Sequence, residues 1–458
     1  MQSPIEYLEA RREENLAGLM QFLRIPSVST DPARREDVRA AARFLCDALL
    51  QAGLPRSEIV ETPGHPIVFA EDLRAEGPTL LVYGHYDVQP EEPVELWTSP
   101  PFEPEVRDGE LYARGAVDDK GQVWLHVKAL EAWLHTTGRL PCKVKVVVEG
   151  EEEIGGSNLS AFLRERRDLL RADAVLISDS PMFERGVPSL CYGLRGMAYM
   201  EVTVRGAGSD LHSGSFGGAV ANPAQALATI LAGLKDGAHR VAIPGFYDRV
   251  REITAREREA FAALPFDADA YRRALGVPEL VGEEGFSTLE RVWARPTLEV
   301  NGLLAGFTGE GTKTVLPASA MAKVSMRLVP DQDWEEIARL FRSRVLELAP
   351  AGVVVDVRTH HGGKAFLTDI DHPALRAAAR ALERGFGSPP VMIREGGSIP
   401  VAVDFREELK LPVVLMGFGT PDENAHAPDE HLSLENFHGG LRTVSYFLEE
   451  FAACAPGS

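Results

Sequence analysis

Residues 79–90, TLLVYGHYDVQP, indicate the fold class, because an apolar run of strand length ends directly at a histidine and an aspartate. Similar apolar runs recur at 143–148 and 174–177, and a segment with helical periodicity, 122–134, lies between the first two runs. Strands that alternate with helices predict an α/β domain with a doubly wound, mostly parallel sheet. Ligands of such sheets bind beyond the carboxyl ends of the strands. We therefore expect the polar residues that follow these runs to meet in one site.

Carboxylates and imidazoles follow these runs and a fourth run at 412–416, or lie just before the helical segment. They are His85, Asp87, Asp118, Glu152, Glu153, Asp179 and His426. This combination of side chains suits a divalent metal ion, with zinc as the first expectation. Separate stretches brought together by folding could supply two ions that share one carboxylate. Such a site predicts a metal-assisted hydrolase.

Each motif also has an interpretation without a metal. In extended chain His85 and Asp87 leave the same face, so Asp87 can accept the second N–H of a metal-bound imidazole, or the two can form a plain hydrogen-bonded pair. Asp118 or Asp119 could cap the following helix, and the two roles could also be divided, with Asp119 as the cap. The acids of EGEEEIGGS (149–157) could form a solvated turn. Buried together, however, they would need a cation or shared protons.

The middle of the chain follows a different order of elements. It runs strand, helix, strand, strand, helix, strand, at 199–205, 223–234, 297–305, 320–329, 334–348 and 353–358. That order predicts an α+β, ferredoxin-like sandwich, and 240–295 has the character of an insertion after its first helix. The first pattern resumes after about residue 360, with a helix at 373–384. We expect one domain over 1–192 and 365–458, interrupted by an inserted domain over 193–364.

Composition excludes several classes of partner. The 458 residues suffice for about two or three domains of ~150 residues. The formal charge of −20, with no basic tract, argues against nucleic acid and anionic membranes. The four cysteines are widely spaced and form no CxxC pair, which favours a reducing cytoplasm over a disulfide scaffold or a thiolate zinc site. The first residues lack the pattern of a signal peptide, and no apolar run approaches the ~18 residues of a membrane span. We expect a cytoplasmic protein.

The motifs together resemble a known family. HYDVQP, ARGAVDDKG, EGEEEIGGS, SDS, YGLRG, LHSG, RLVP, REGGSIP and AHAPDE occur in this order. The set resembles the zinc dipeptidases of the carnosinase and cytosolic nonspecific dipeptidase type. These belong to the larger metallopeptidase family of aminoacylase, acetylornithine deacetylase and succinyl-diaminopimelate desuccinylase. The resemblance spans nearly the whole chain, and it implies that the inserted domain is a lid and dimerisation domain on a catalytic domain.

The resemblance implies two Zn²⁺ per subunit, with Mn²⁺ or Co²⁺ as possible substitutes. It divides the ligands into two sets that share a bridging carboxylate: His85, Asp118 and Asp179, and Asp118, Glu153 and His426. Glu152 then becomes the general base, Asp87 supports His85, and a cis peptide joins Asp118 to Asp119. These roles follow from the resemblance and not from the spacing of the residues.

The resemblance also implies substrate contacts in the inserted domain. His212 in DLHSG matches a histidine that, in dimeric relatives, reaches the partner's active site and stabilises the oxyanion; alternatively, it only begins a helix. Arg327 matches the residue that holds the substrate carboxylate, a role that suits a bidentate guanidinium. Further substrate-binding residues would be Thr314, Gly396, Gly397, Ser398 and Asn301. Two positions depart from the family: Asn301 stands where close eukaryotic relatives tend to have His, and Asp429 replaces the commoner Asn.

The expected reaction is hydrolysis of dipeptides or short peptides that have a free C-terminal carboxylate. A zinc-bound hydroxide would attack the scissile carbonyl with Glu152 as base, and closure of the inserted domain would bring Arg327 to the carboxylate. An N-acyl amino acid deacylase would use the same metal chemistry, although REGGSIP, YGLRG and the long insertion favour the dipeptidase. A non-catalytic, zinc-binding dimeric scaffold is disfavoured because Glu152 and every expected ligand are present. The expected partners are a small peptide and a second copy of the chain.

Overall fold

The computed structural model describes residues 2–156, 158–397 and 399–454. The chain forms two compact units: Gly193–Leu367 with Arg394–Pro400 is the second, and the rest of the described chain is the first. Among the described residues, no helix has both the length and the apolar character that a membrane crossing requires.

The strands are β1 (Arg56–Val60), β2 (Ile67–Asp72), β3 (Thr79–His85), β4 (Glu105–Arg107), β5 (Glu110–Tyr112), β6 (Lys143–Glu149), β7 (Ala174–Ile177), β8 (Ser189–Leu194), β9 (Gly196–Arg205), β10 (Leu211–His212), β11 (Thr297–Ala305), β12 (Val315–Leu316), β13 (Ser319–Leu328), β14 (Val354–Gly363), β15 (Phe366–Leu367), β16 (Val391–Glu395), β17 (Val413–Leu415) and β18 (His431–Ser433). The α-helices are α1 (Pro4–Ala10), α2 (Arg12–Leu23), α3 (Arg35–Gln51), α4 (Lys120–Thr137), α5 (Asn158–Glu165), α6 (Ser213–Phe216), α7 (Pro223–Ala232), α8 (Ala255–Ala262), α9 (Ala268–Ala274), α10 (Thr288–Trp293), α11 (Trp334–Leu348), α12 (Pro373–Phe386), α13 (Pro400–Asp404) and α14 (Leu434–Ala452).

Four parallel strands form the centre of the first unit's sheet. β6, β3, β7 and β17 are neighbours in that order, and each pair runs parallel. Their residues are almost all buried, as expected when helices cover both faces of a parallel sheet. Val82 lines a small cavity together with residues of α3 and α4, and the ring of Tyr83 packs against Phe405. The predicted α/β class with a mostly parallel central sheet is confirmed, and the four strands end at one edge.

Several strands outside this centre run antiparallel to their neighbours. β2 pairs with β6 and β1 with β2, while β8 flanks β17. A separate three-stranded sheet pairs β18 with β5 and β5 with β4. This small sheet matters for the site because β18 follows the loop of His426, and β5 precedes the loop of Asp118.

The second unit is a four-stranded antiparallel sheet in the order β11-β13-β9-β14. Alternate residues of β9 and β13 are buried, and they form a core with residues of α7 and α11. Strand order and helix placement are those of a split ferredoxin-like sandwich. The residues between α7 and β11 contain α8, α9 and α10. The roles of lid and dimerisation domain remain predictions.

Candidate metal centre

Two groups of potential metal ligands lie at the carboxyl edge of the parallel strands. His85, Asp118 and Asp179 form one group, and Asp118, Glu153 and His426 form the other; in each, the ligand atoms lie within 4.8 Å of one another. His85 Nε2 is 3.1 Å from Asp118 Oδ1 and 4.0 Å from Asp179 Oδ1. His426 Nε2 is 2.7 Å from Asp118 Oδ2 and 3.4 Å from Glu153 Oε2. The two oxygens of Asp118 therefore face different groups, an arrangement that suits a carboxylate bridging two ions.

His85 is the last residue of β3 and is fully buried. Its Nδ1 lies 3.0 Å from the main-chain oxygen of Asp87 and 3.4 Å from the Asp87 carboxylate. An Nδ1–H that donates to that carbonyl leaves the lone pair on Nε2, which faces Asp118. Asp87 thus orients the ring chiefly through its main chain.

The Asp87 carboxylate has a second task that was not predicted. Its two oxygens accept hydrogen bonds from the main-chain N–H groups of Glu152, at 3.3 Å, and Glu153, at 3.2 Å. Asp87 is fully buried, so water does not compete for these bonds. This carboxylate therefore positions the segment that carries both the predicted base and a predicted ligand.

The loop before α4 presents Asp118. The peptide between Asp118 and Asp119 is cis, as the resemblance implied. Asp119 occupies the N-cap position of α4, but its side chain makes no capping hydrogen bond, so the capping alternative does not hold for Asp119. Its Oδ2 instead accepts a hydrogen bond of 3.1 Å from the N–H of His85. The absence of a side chain at Gly84 permits this contact, because a Cβ there would lie 2.8 Å from Asp119 Oδ2 and 2.5 Å from Val123.

The carboxylates of the centre are partly buried and lie close together, and this changes their acidity. Burial raises the pKa of Glu152 to about 8, of Glu153 to about 7 and of Asp179 to about 6. His85 opposes each rise, whereas neighbouring carboxylates reinforce it. At His426 the hydrogen bond with Asp118 raises the pKa to about 9. Acids crowded in this way repel one another, and a bound cation would relieve that repulsion.

The donor set fits divalent metal ions. Each group combines two carboxylates with one imidazole, a set that suits Zn²⁺, Mn²⁺ or Co²⁺. Glu153 Oε1 is buried without a hydrogen-bond partner, although a buried polar atom is normally satisfied. A metal ion in the second group would supply that partner. An open cavity of about 270 Å³ lies beside the centre and is lined by Asp118, Asp179 and Thr420, among other residues.

In the second unit, the structure brings His212 and Thr314 together. β10 pairs with β12, and the N–H of Ser213 donates to the main-chain oxygen of Thr314 at 3.0 Å. His212 is exposed at the start of α6, and its Nδ1 accepts from the N–H of Gly214 at 3.0 Å. The helix-start alternative therefore describes its position. Because Nδ1 is the acceptor, the neutral ring carries its proton on Nε2 and can still donate there.

The other predicted substrate residues divide between the sheet and a loop. Arg327 lies on β13 opposite Met197 and Thr297, and burial lowers its pKa. Gly396 and Gly397 lie in a loop bound by Arg195. Asn301 is exposed at a bulge of β11. Ser398 lies outside the described residues.

Two residues within the quoted motifs were not assigned a role from sequence. Arg195 of YGLRG donates from Nε to the oxygen of Gly396 at 3.2 Å and from its main-chain N–H to the oxygen of Gly397 at 3.1 Å. Burial, reinforced by the nearby Arg327, lowers its pKa to about 10. Glu430 of AHAPDE is fully buried and binds the Asp118 loop. Only their place within the motifs could have drawn attention to them.

Comparison with known proteins agrees with the site's composition. A family model described as peptidase family M20/M25/M40 matches residues 81–450. The Cys-Gly metallodipeptidase dug1 of Schizosaccharomyces pombe is 32% identical over 98% of this chain and 98% of that protein. The human Beta-Ala-His dipeptidase is 29% identical over 99% of this chain and 93% of that protein. The crystal structure of Sso-CP2, an M20 family metallo-carboxypeptidase from Sulfolobus solfataricus, superposes with a TM-score of 0.85 at 32% identity, covering 96% of this chain and 100% of that one.

The family model spans well over half of the chain, and the relatives align along nearly their full length. Both named relatives are dipeptidases and therefore hydrolases. The resemblance stated from the motifs is confirmed. The chain belongs to peptidase family M20/M25/M40.

Proposed function

We propose that the protein is a di-zinc dipeptidase that hydrolyses dipeptides or short peptides with a free C-terminal carboxylate. The observation that carries this proposal is the pair of ligand groups sharing Asp118, with the partly buried Glu152 beside them as a member of neither. The printed names of two relatives support a dipeptide substrate: one acts on Cys-Gly and the other on β-Ala-His. Their substrates differ in side chains and have a C-terminal carboxylate in common.

His85, Asp118 and Asp179 would hold one zinc ion, and Asp118, Glu153 and His426 the other; Mn²⁺ or Co²⁺ could replace them. When bound, two such ions polarise a carbonyl and make a water molecule acidic near neutral pH. The assignment to zinc rests on the donor set, since carboxylate and imidazole suit zinc well.

Glu152 acts as the general base. It accepts a proton from the attacking water while the water oxygen forms a bond to the scissile carbonyl carbon. As the C–N bond breaks, Glu152 returns that proton to the leaving amine, so acid and base roles alternate on one carboxylate. Burial and the neighbouring carboxylates raise the pKa of Glu152 in the metal-free chain, whereas bound cations would favour the carboxylate form that a base requires. Asp87 holds this segment in place through two main-chain hydrogen bonds.

His212 and Arg327 bind the substrate in this proposal. The Nε2–H of His212 donates to the oxygen of the tetrahedral intermediate, and such a donor contributes roughly 10²–10³ in rate. Arg327 binds the C-terminal carboxylate, for which a planar guanidinium offers two parallel donors. Thr314, Asn301, Gly396, Gly397 and Ser398 would line the same substrate site.

We also propose a homodimer, formed through the second unit. β11 is an edge strand of the four-stranded sheet. Apolar side chains are exposed on or just after it: Val300 at 45%, Leu303 at 63%, Leu304 at 57% and Phe307 at 45%. An exposed apolar edge of this kind marks an interaction surface. A second copy would cover it, so Leu303→Lys with Leu304→Lys should shift the sedimentation velocity of a dimer to that of a monomer.

A substrate panel tests the enzymatic proposal. The metal-reconstituted chain is assayed with Ala- and Leu-containing dipeptides and with N-acetyl amino acids. Dipeptide turnover should exceed that of the N-acetyl compounds, and EDTA should abolish it until Zn²⁺ is restored. Preference for N-acetyl amino acids would instead establish a deacylase. Activity that survives complete metal removal, or a chain with no hydrolytic activity, would refute the proposed function.

A further inference from the structure

Glu430 connects the two loops that carry Asp118 and His426. Its Oε2 accepts from Arg114 Nη1 at 2.7 Å and from the N–H of Gly115 at 3.0 Å. Its Oε1 accepts from the N–H of Val117 at 3.0 Å and from the N–H of Asp118 at 3.2 Å. The carboxylate is fully buried, and it satisfies three main-chain donors of the loop before α4, those of Gly115, Val117 and Asp118. Hydrogen bonds to a charged acceptor are about twice as strong as neutral ones.

Asp118 is thus tied to its two ligand groups by different contacts. Toward His85, the neighbouring Asp119 accepts a hydrogen bond from the His85 main chain. On the side of His426, the antiparallel pairing of β18 with β5 joins the segment that follows His426 to the segment that precedes Asp118. Glu430 lies between that pairing and the metal centre, on the same loop as His426. It therefore extends the connection as far as the N–H of Asp118 itself.

We propose that Glu430 is a positioning residue that sets the distance between Asp118 and His426 and thereby the affinity of that ligand group for its ion. The inference rests on the proposed function only in that both groups bind divalent ions. Glu430 contacts no ligand atom of either group. It acts through the main chain of Asp118, which carries the carboxylate shared by both groups.

The expected effect is selective. Glu430→Gln replaces one acceptor oxygen with an NH₂ group, which cannot accept from the N–H groups that it faces. Changing a residue that orients a metal ligand typically weakens metal binding by about 10–100-fold. The group of Asp118, Glu153 and His426 should lose that much affinity. The group of His85, Asp118 and Asp179 should lose much less, because the contact between Asp119 and His85 remains.

Glu423 provides a matched control. It lies on the same loop and is also fully buried. Its carboxylate accepts from the N–H of Thr420 at 2.7 Å and of Ser433 at 2.8 Å, rather than from the Asp118 loop. Glu423→Gln therefore removes an equally buried charge from the same loop while leaving the contacts of Asp118 in place.

The test is a Co²⁺ titration of the metal-free chain, followed by visible absorption, which reports the coordination of each ion. Wild type should take up two equivalents. Glu430→Gln should bind the first normally and the second about 10–100-fold more weakly, whereas Glu423→Gln should match wild type. In a His426→Ala background, which lacks the affected group, Glu430→Gln should change the remaining affinity less than threefold.

The outcomes separate the inference from the proposed function. Wild-type chain that binds fewer than two ions would refute the di-metal proposal before any variant is compared. Normal binding of both ions by Glu430→Gln, or an equal loss in Glu423→Gln, would overturn the inference alone. If Glu430→Gln does not fold by circular dichroism, Glu430→Asp keeps the charge with a shorter reach and should show the same selective loss. Failure of both variants to fold would also overturn it, because Glu430 would then serve the whole unit.

Discussion

Asp87→Asn is the perturbation that best separates positioning from chemistry at this centre. The carboxylate makes no direct contribution to either ligand group. Its oxygens hold the main-chain N–H groups of Glu152 and Glu153 at 3.3 and 3.2 Å. Asparagine has nearly the same shape, but one of its two terminal atoms is an NH₂ group that cannot accept. One of the two N–H groups therefore loses its partner in a site from which water is excluded.

The magnitude follows from that single lost bond. A hydrogen bond to a charged group contributes about 1.5–3 kcal/mol, so the free energy of unfolding should fall by this amount. The segment that shifts carries the proposed base, and the loss of an orienting residue costs about 10–100-fold in activity. At 1.36 kcal/mol for each tenfold change, that loss is roughly 1.4–2.7 kcal/mol of transition-state stabilisation. The two figures agree, as expected if one hydrogen bond accounts for both.

Urea unfolding and dipeptide kinetics measure the two quantities. Asp72→Asn is the control, because Asp72 is equally buried. Its carboxylate accepts hydrogen bonds from the main-chain N–H and the guanidinium of Arg74. It lies at the end of β2 that is opposite the start of β6. It should lose comparable stability while kcat/KM stays within twofold of wild type. If kcat/KM of Asp87→Asn also stays within twofold, or if both variants lose activity equally, the positioning role of Asp87 is refuted.

Three further expectations concern single side chains. Glu152→Gln should retain both metal ions, because Glu152 is in neither ligand group, and its kcat should fall by about 10²–10⁴-fold. Metal content and turnover are measured on one sample, and near-normal turnover would contradict the role of Glu152 as base. Arg327→Lys should raise KM for dipeptides more than it lowers kcat, since an ammonium cannot make the paired hydrogen bonds of a guanidinium; unchanged KM in steady-state kinetics would argue against carboxylate binding there. Burial lowers the pKa of His126 to about 3, from about 6.5 in an unfolded chain. The folded chain therefore resists protonation, and the stability contributed by neutral His126 is full above pH 6.5 and declines as pH falls toward 3. Between pH 7 and 5 the wild type should lose about 2 kcal/mol relative to His126→Gln, and urea unfolding that shows parallel pH profiles would disprove it.

The sequence by itself determined the class of the fold and the chemical character of the site. Apolar runs report which segments are buried, and the residues that follow them report which groups the strand ends present. That information sufficed to predict the parallel strands before His85, Glu152 and Asp179. The motif order added the family, because no single motif distinguishes a metal ligand from a cap or a surface acid.

Only the tertiary structure decided which strands are neighbours and how the ligands are held. Periodicity reports burial but not strand order, so the adjacency of β6, β3, β7 and β17 could not be inferred from it. The contacts that support the ligands join distant segments: Glu430 and Arg114 are 316 positions apart. Asp119 stands at the N-cap position of α4, yet its carboxylate accepts a hydrogen bond from the N–H of His85, which folding brings within reach. A hydrogen-bonding group takes the partner that the assembled fold presents, and local sequence carries no record of that partner.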